Sequence, residues 1–392
     1  MNRRIKPKVC FVATVEIAVK AFLVDHFKAM NPQYDITVVT NTDDVGFLER
    51  FGLDVTVISL AIERKISLFR DIVVLFQLCS CFRRNHFAAI HSITPKSGLL
   101  SMVAGFLVRV PVRIHTFTGQ VWATRAGFMR FCLKAADRII ACCATHILVD
   151  SHSQRDFLIG EKVISKSASH VIANGSMCGV DVERFSPSFL ARKEIRFAHG
   201  IPESDVVFLF LGRLTHDKGL MDLAEAFKDL CDSYLNIHLV VVGPDEENIR
   251  SRISAKCSSC VSRLHFEDYT DIPERYMAAS DVFCLPSYRE GFGSVIIEAA
   301  SAGIPSIGTR IYGLTDAIDD GQTGFLYEPG DIDGLRARML QLIEGPDMIK
   351  KMGEKARKRV VRDFSKERVI SEMLEYYKCL FPVDCHSLQT KN

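Results

Sequence analysis

Two short segments of this chain gather the side chains best suited to chemistry on an anionic ligand. In residues 208–219 an apolar run ends in Gly212 and leads through Arg213 and Lys218 to Gly219. Two cations five residues apart can converge on one diphosphate. Glycine lets the backbone approach an anion closely, and a helix opening beyond Gly219 adds the positive end of its dipole. Each charge-assisted hydrogen bond to phosphate contributes about 1.5–3 kcal/mol. Spacing alone also suits a solvated surface turn, where arginine and lysine are common.

The second segment, residues 286–300, places Glu290 in a turn with Gly291, Phe292, Gly293 and Ser294, and Glu298 in the helix that this turn opens. Backbone N–H groups at such a helix start are free to bind an anion or sugar oxygens. A carboxylate one to two turns further on can accept from vicinal hydroxyls, as acidic residues do for nucleotide riboses. Taken singly, each glutamate also fits a residue that merely complements the helix dipole or faces solvent.

The elements that must position these groups follow from the periodicity. Short runs rich in β-branched residues at 9–13, 35–40, 55–59, 88–91, 113–116 and 146–149 alternate with longer amphipathic stretches. The same rhythm restarts at 206–211, 238–242, 264–266, 282–285 and 305–308. This predicts an α/β protein of two doubly wound, Rossmann-like domains facing a cleft, where ligands sit beyond the carboxyl ends of the strands. The turn-rich residues 174–187 read as a linker, and the boundaries are expected at 1–185, 186–365, a helix at 366–381, and a disordered tail at 382–392. Charge divides at nearly the same place. Residues 1–190 hold 23 basic and 15 acidic side chains, a net +8, and the remainder carries −6 within an overall +2.

With 392 residues, 48% of them hydrophobic, and a mean hydropathy of +0.12, the chain is neither disordered nor fibrous. Its longest apolar stretches fall short of a membrane span, and the basic N-terminus leads into a strand and helix rather than a signal peptide. A cytoplasmic location is expected. Thirteen cysteines, an odd number scattered through apolar runs, suit reduced core thiols. Cys257 and Cys260 form one CxxC, but with only His265 nearby no zinc site is expected. Asp331 and Asp333 follow a Pro-Gly turn, which favours a helix cap over a metal-binding pair.

Arg213, Lys218, Glu290 and Glu298, in this order on strand ends of one doubly wound domain, resemble the donor site of family four retaining glycosyltransferases with the GT-B fold. Residues 171–175, 179–185, 272–286 and 321–326 match further stretches of that family, so the resemblance covers most of the chain. It implies that Arg213 and Lys218 bind the donor diphosphate, that Glu290 and the backbone from Gly291 to Ser294 hold the transferring sugar, and that Glu298 holds the ribose. Gly212, Arg213, Lys218 and Glu290 are then the catalytic and donor-binding centre. No metal or other cofactor is implied, because fixed cations stabilise a departing diphosphate directly. The C-terminal helix is expected to cross back to the first domain.

The first half departs from the family pattern. Residues 13–17 lack the glycine-rich turn of many relatives, leaving Thr14 there. Thr118 stands where many carry a histidine, and His115 lies three residues earlier. Thr118, His115 and His91, the last expected to face the cleft, are acceptor-side or supporting candidates. Residues 116–119 followed by aromatic residues resemble the subgroup acting in capsule, O-antigen and exopolysaccharide assembly. The implied acceptor is a saccharide on a polyprenyl diphosphate, with a UDP-linked donor preferred. The segment with Trp122, Arg125, Phe128, Arg130, Phe131, Lys134 and Arg138, and the charges Arg64, Lys65, Arg70, Arg83 and Arg84, suggest peripheral attachment to the inner face of the membrane. The same helices also suit core packing with solvated charges. No nucleic-acid partner is expected. A sugar-nucleotide epimerase and a non-catalytic binding member are the alternatives.

Overall fold

The computed structural model describes residues 6–63 and 67–381. The tail expected to be disordered, and Arg64 and Lys65, lie outside them. Two parallel sheets carry the fold. The first holds β1 (Lys8–Val15), β2 (Asp35–Asn41), β3 (Thr56–Ser59), β4 (Ala89–Ser92), β5 (Val112–Phe117), β6 (His146–Val149) and β7 (Ser169–His170), in the order 3-2-1-4-5-6-7. The second holds β8 (Val206–Leu211), β9 (Ile237–Val242), β10 (Leu264–Glu267), β11 (Val282–Leu285), β12 (Ser306–Thr309) and β13 (Gly324–Tyr327), in the order 10-9-8-11-12-13. Each order reverses direction once, between β1 and β4 and between β8 and β11. Loops leaving those neighbouring strands diverge and create a crevice at the carboxyl edge.

Strand burial follows the pleat. In β1 the alternation sends Val9, Phe11 and Ala13 into the core on one face of the sheet, and Cys10 and Val12 into the core on the other. Two strands escape the sequence pattern. β7 is only two residues without a β-branched side chain, and β13 begins on glycine. The strand expected at 305–308 sits one residue later.

The helix Lys366–Leu380 leaves the second domain and packs on the first. Its Met373 and Tyr377 belong to the core around Phe11, Phe27 and Tyr34, and Tyr377 is fully buried, with its ring 5.7 Å from that of Tyr34. The crossing is pinned by backbone hydrogen bonds from Val180 to the Phe364 carbonyl and from Lys366 to the Val180 carbonyl, both 2.9 Å. No helix among the described residues is long and apolar enough to cross a membrane.

Candidate active site

The two loops singled out in the second half leave β8 and β11, the adjacent strands at which that sheet reverses. The β8 loop turns at Gly219, which adopts φ +67° ahead of the helix Leu220–Cys231. A β-carbon there would stand 2.0 Å from the Pro286 carbonyl oxygen, so only glycine lets this loop lie against the end of β11. That approach brings Lys218 Nζ to 2.5 Å from Glu290 Oε1, which also accepts from Ser287 Oγ at 2.8 Å.

The first domain meets the same turn. A β-carbon on Gly291 would lie 2.2 Å from the Thr118 carbonyl oxygen, and one on Gly119 would lie 3.2 Å from the Gly291 nitrogen. The loop after β5 thus rests on the Glu290–Gly291 backbone. Further ties close the domains together. Ser153 N donates to Asp316 Oδ2 at 3.0 Å, Gly313 N donates to Ser153 Oγ at 2.8 Å, and Phe157 stacks on Tyr312 at 4.5 Å.

Between the domains lies a polar cavity of about 660 Å³. Arg213, Lys218, Glu290, Gly291 and Thr118 line it, as the sequence led one to expect. Arg125, Arg289, Thr215, His216 and the acidic trio Asp217, Glu246 and Glu247 line it too, and none had been assigned there. Arg289 was legible beside Glu290 in the same turn. Arg125, grouped in the sequence with the membrane-facing charges, stands exposed on the cavity wall. Several of these charges hold one another: Arg213 Nη1 lies 3.0 Å from Glu246 Oε2, and Arg289 Nη2 lies 3.1 Å from Asp217 Oδ2. Four cations and a backbone turn around one polar space can bind a diphosphate and stabilise charge that develops on it.

The other donor-side residues lie apart from this wall. Phe292 is buried, its ring 5.3 Å from Phe364, and Gly293, at φ +74°, caps the helix Ser294–Ser301. Glu298, on that helix, does not line the cavity, and burial raises its carboxyl to about 7. Gly212 supports the loop from behind, its carbonyl only 2.0 Å from where a β-carbon on Gly243 would stand.

On the first domain the histidine expectations are corrected. His91 does not face the cleft. It is buried, with Nδ1 2.7 Å from the Tyr377 hydroxyl and Nε2 2.7 Å from Thr116 Oγ1, and desolvation lowers its pKa to about 3. His115 is likewise buried, 2.7 Å from Ser92 Oγ, with its pKa lowered by burial to about 3. Both are neutral supports. Thr14 is held by Thr94, its Oγ1 2.6 Å from Thr94 Oγ1, and does not reach the cavity. Asp150, just beyond the end of β6, went unnoticed. A β-carbon on Gly291 would lie 3.2 Å from its Oδ2. Its Oδ1 is buried without a hydrogen-bond partner, and burial raises its pKa to about 7. A position after a carboxyl strand end was its only sequence signal.

The aromatic basic segment is largely structural. Trp122 is 1% exposed and donates from Nε1 to Asp137 Oδ2 at 2.7 Å. Arg130 and Lys134 both pair with Glu161, and Arg138 Nε donates to the Lys162 carbonyl. Phe128 and Phe131 do remain exposed. Asp331 caps the helix Ile332–Ile343 by accepting from Gly334 N at 2.9 Å. Cys257 and Cys260 are buried in the second core, and among the described residues no cluster of three or more His, Cys, Asp or Glu is arranged to hold a metal.

Residues 191–359 match the model of glycosyl transferases group 1, and residues 23–175 match a glycosyl transferase 4-like domain. The chain is 28% identical to the capsular polysaccharide biosynthesis glycosyltransferase CapM of Staphylococcus aureus, over 85% of this chain and 92% of that one. It is 27% identical to the UDP-Gal:alpha-D-GlcNAc-diphosphoundecaprenol alpha-1,3-galactosyltransferase of Escherichia coli, over 80% and 81%. Anabaena HepE, solved in complex with UDP, shares the fold with a TM-score of 0.79 at 18% identity, over 95% of this chain and 100% of that one. With a 4-like domain in its first half, a group 1 domain in its second and the two-sheet GT-B frame beneath both, the chain belongs to the family four glycosyltransferases.

Proposed function

We propose that this enzyme transfers a sugar from a nucleotide diphosphate donor, UDP-linked, to a saccharide carried on a polyprenyl diphosphate, with retention of anomeric configuration, in bacterial surface polysaccharide synthesis. The observation that carries the reading is the meeting of Lys218 and Glu290 at the strand reversal, under a first-domain loop that touches Gly291. The S. aureus and E. coli relatives, one named for capsule synthesis and the other for a diphosphoundecaprenol acceptor, support the acceptor class. The UDP held by the Anabaena neighbour supports the donor.

In this reading Arg213 and Lys218 take the diphosphate, Glu290 and the Gly291 backbone orient the sugar, and Glu298 serves the ribose. The anomeric C–O bond breaks with its electron pair going to the β-phosphate oxygen, where Lys218 and Arg213 stabilise the charge without a divalent ion. The acceptor hydroxyl forms the new C–O bond on the face the diphosphate leaves, and its proton passes to the departing phosphate oxygen. The enzyme works at the cytoplasmic face of the membrane.

The test is a screen of UDP- and GDP-sugars with polyprenyl diphosphate-linked saccharides, with products read by mass spectrometry and anomeric configuration by NMR, in the presence of EDTA. Retained α-linkage from a UDP-sugar supports the proposal. Inversion, or conversion of the donor to an epimer without acceptor, overturns it.

A further inference from the structure

A second cavity, of about 440 Å³, lies in the first domain between the helices Leu68–Asn85, Pro95–Leu107 and Gly127–Cys143. Its size falls within the range of roughly 300–1,000 Å³ typical of ligand sites. Its wall is built largely from Ile72, Leu75, Leu99, Val121, Trp122 and Leu133. The sequence accounts for it poorly as core. Leu68 and Phe69 are 78% and 81% exposed at its outer edge, and Ile72 and Phe76 continue that bank along the same helix. Phe128 and Phe131 stand exposed on the helix of the opposite bank. An apolar trench with apolar banks is a feature soluble surfaces rarely carry without an occupant.

Its inner end identifies the occupant. Gly119 lines the trench, and its neighbour Thr118 lines the polar cavity that holds Lys218 and Glu290. The one loop that rests on Gly291 therefore borders both spaces. Each space carries a cation. Lys96 lines the trench and pairs with Asp71 at 2.6 Å, and Arg125 lines the polar cavity. Passing outward, the surface changes from polar and cationic to mainly apolar, with Asp71 held by Lys96 and Asp137 by Trp122, which is the polarity order of a polyisoprenyl diphosphate.

We infer that the trench binds the first isoprene units of the acceptor lipid, holding the chain itself rather than merely facing a bilayer, with the lipid diphosphate at the Gly119 loop between Lys96 and Arg125. This assignment rests on the lipid-linked acceptor proposed above. It makes the chain next to the diphosphate a recognition element, so the enzyme distinguishes the lipid from a soluble sugar diphosphate before the sugar is reached.

Binding is measured with the full chain by calorimetry, and by the fluorescence of Trp122, the only tryptophan. The probes are farnesyl diphosphate and inorganic diphosphate. Farnesyl diphosphate is expected to bind at least 10-fold more tightly. The double variant L68E/I72E, at two exposed positions, should erase that preference while leaving UDP affinity unchanged. Equal affinity for the two probes overturns the inference, as does a preference that survives in the variant. Sedimentation of both proteins is run alongside. A dimer that becomes a monomer in the variant, with the chain preference intact, would make the trench a self-association face and also overturn it. If farnesyl binding is lost with the variant yet no lipid-linked saccharide is ever glycosylated, the trench stands and the proposed reaction falls. If such saccharides are glycosylated equally with and without an isoprenyl chain on the diphosphate, the reaction stands and the trench falls.

Discussion

Lys218 Nζ and Glu290 Oε1 stand 2.5 Å apart across the reversal of the second sheet, the ammonium on the β8 loop and the carboxylate on the β11 loop. Each is therefore held in place by the other before any substrate contact is considered. Replacing Lys218 with Ala or Glu290 with Gln is expected to lower kcat about 10²–10³-fold, the cost of removing one preorganised electrostatic group. The charge-swapped K218E/E290K protein should not recover, because the cation then sits on the wrong loop. Steady-state turnover of the four proteins is the check, and near-normal rates in both single variants would refute the pair's role.

Gly291 is expected to tolerate no side chain. Its β-carbon would collide with the Thr118 backbone, which no rotamer change can relieve. Gly291→Ala should therefore push the two domains apart and lower kcat/KM by at least 10-fold while costing the fold only about 1–3 kcal/mol. Small-angle scattering would register the opening, and an unchanged profile with full activity would contradict the close approach.

The bond between His91 and Tyr377 joins the first sheet to the last helix. Tyr377→Phe leaves His91 Nδ1 without that partner and is expected to cost about 1–3 kcal/mol. The pH dependence has a definite sign. Burial lowers the pKa of His91 and His115 to about 3, so between about 6.5 and 3 the unfolded chain binds protons that the native state does not. Their contribution is lost as pH falls through that window. The thermal midpoint of His115→Gln, less that of the parent, should rise on going from pH 7 to pH 4.5. A flat difference would exclude the account.

Asp137 works in the opposite direction. Burial raises its carboxyl to about 6, and the Trp122 hydrogen bond offsets only part of that. The native state keeps this proton at pH values where the unfolded chain has released it. The stabilisation is full below about pH 4 and is lost as pH rises through 6. Because Trp122 is the only tryptophan, its emission should titrate near pH 6 and cease to do so in Asp137→Asn. Emission that is independent of pH in the parent would disprove the coupling.

The parallel sheets were readable because doubly buried strands such as β8 and β9 are uninterrupted apolar runs between amphipathic helices. Arg213, Lys218 and Glu290 were readable for a related reason: each follows such a strand at its carboxyl end. What could not be read was pairing across the cleft. Nothing local tells that Arg125 reaches the polar cavity while Arg130, five residues on, turns to Glu161. Trp122 looked like a surface anchor because basic residues surround it in sequence. Those residues in fact cover its ring, with Arg130 5.0 Å from the centroid. His91 ends a strand where a catalytic group could sit, and only the returning helix, nearly 300 positions later, fills the space in front of it.

That returning helix sets an order of events during synthesis. The first sheet is complete by residue 170, yet Met373 and Tyr377, which finish its core, are translated some 200 residues later. At about 5–20 residues per second the nascent first domain waits on the order of 10–40 s with that pocket unfilled. The second sheet and its helices draw their core almost wholly from residues 180–364 and need no such delay. The two halves therefore finish nearly together, the second core at Phe364 and the first at Tyr377, although the strands of the first sheet are made some 200 residues earlier.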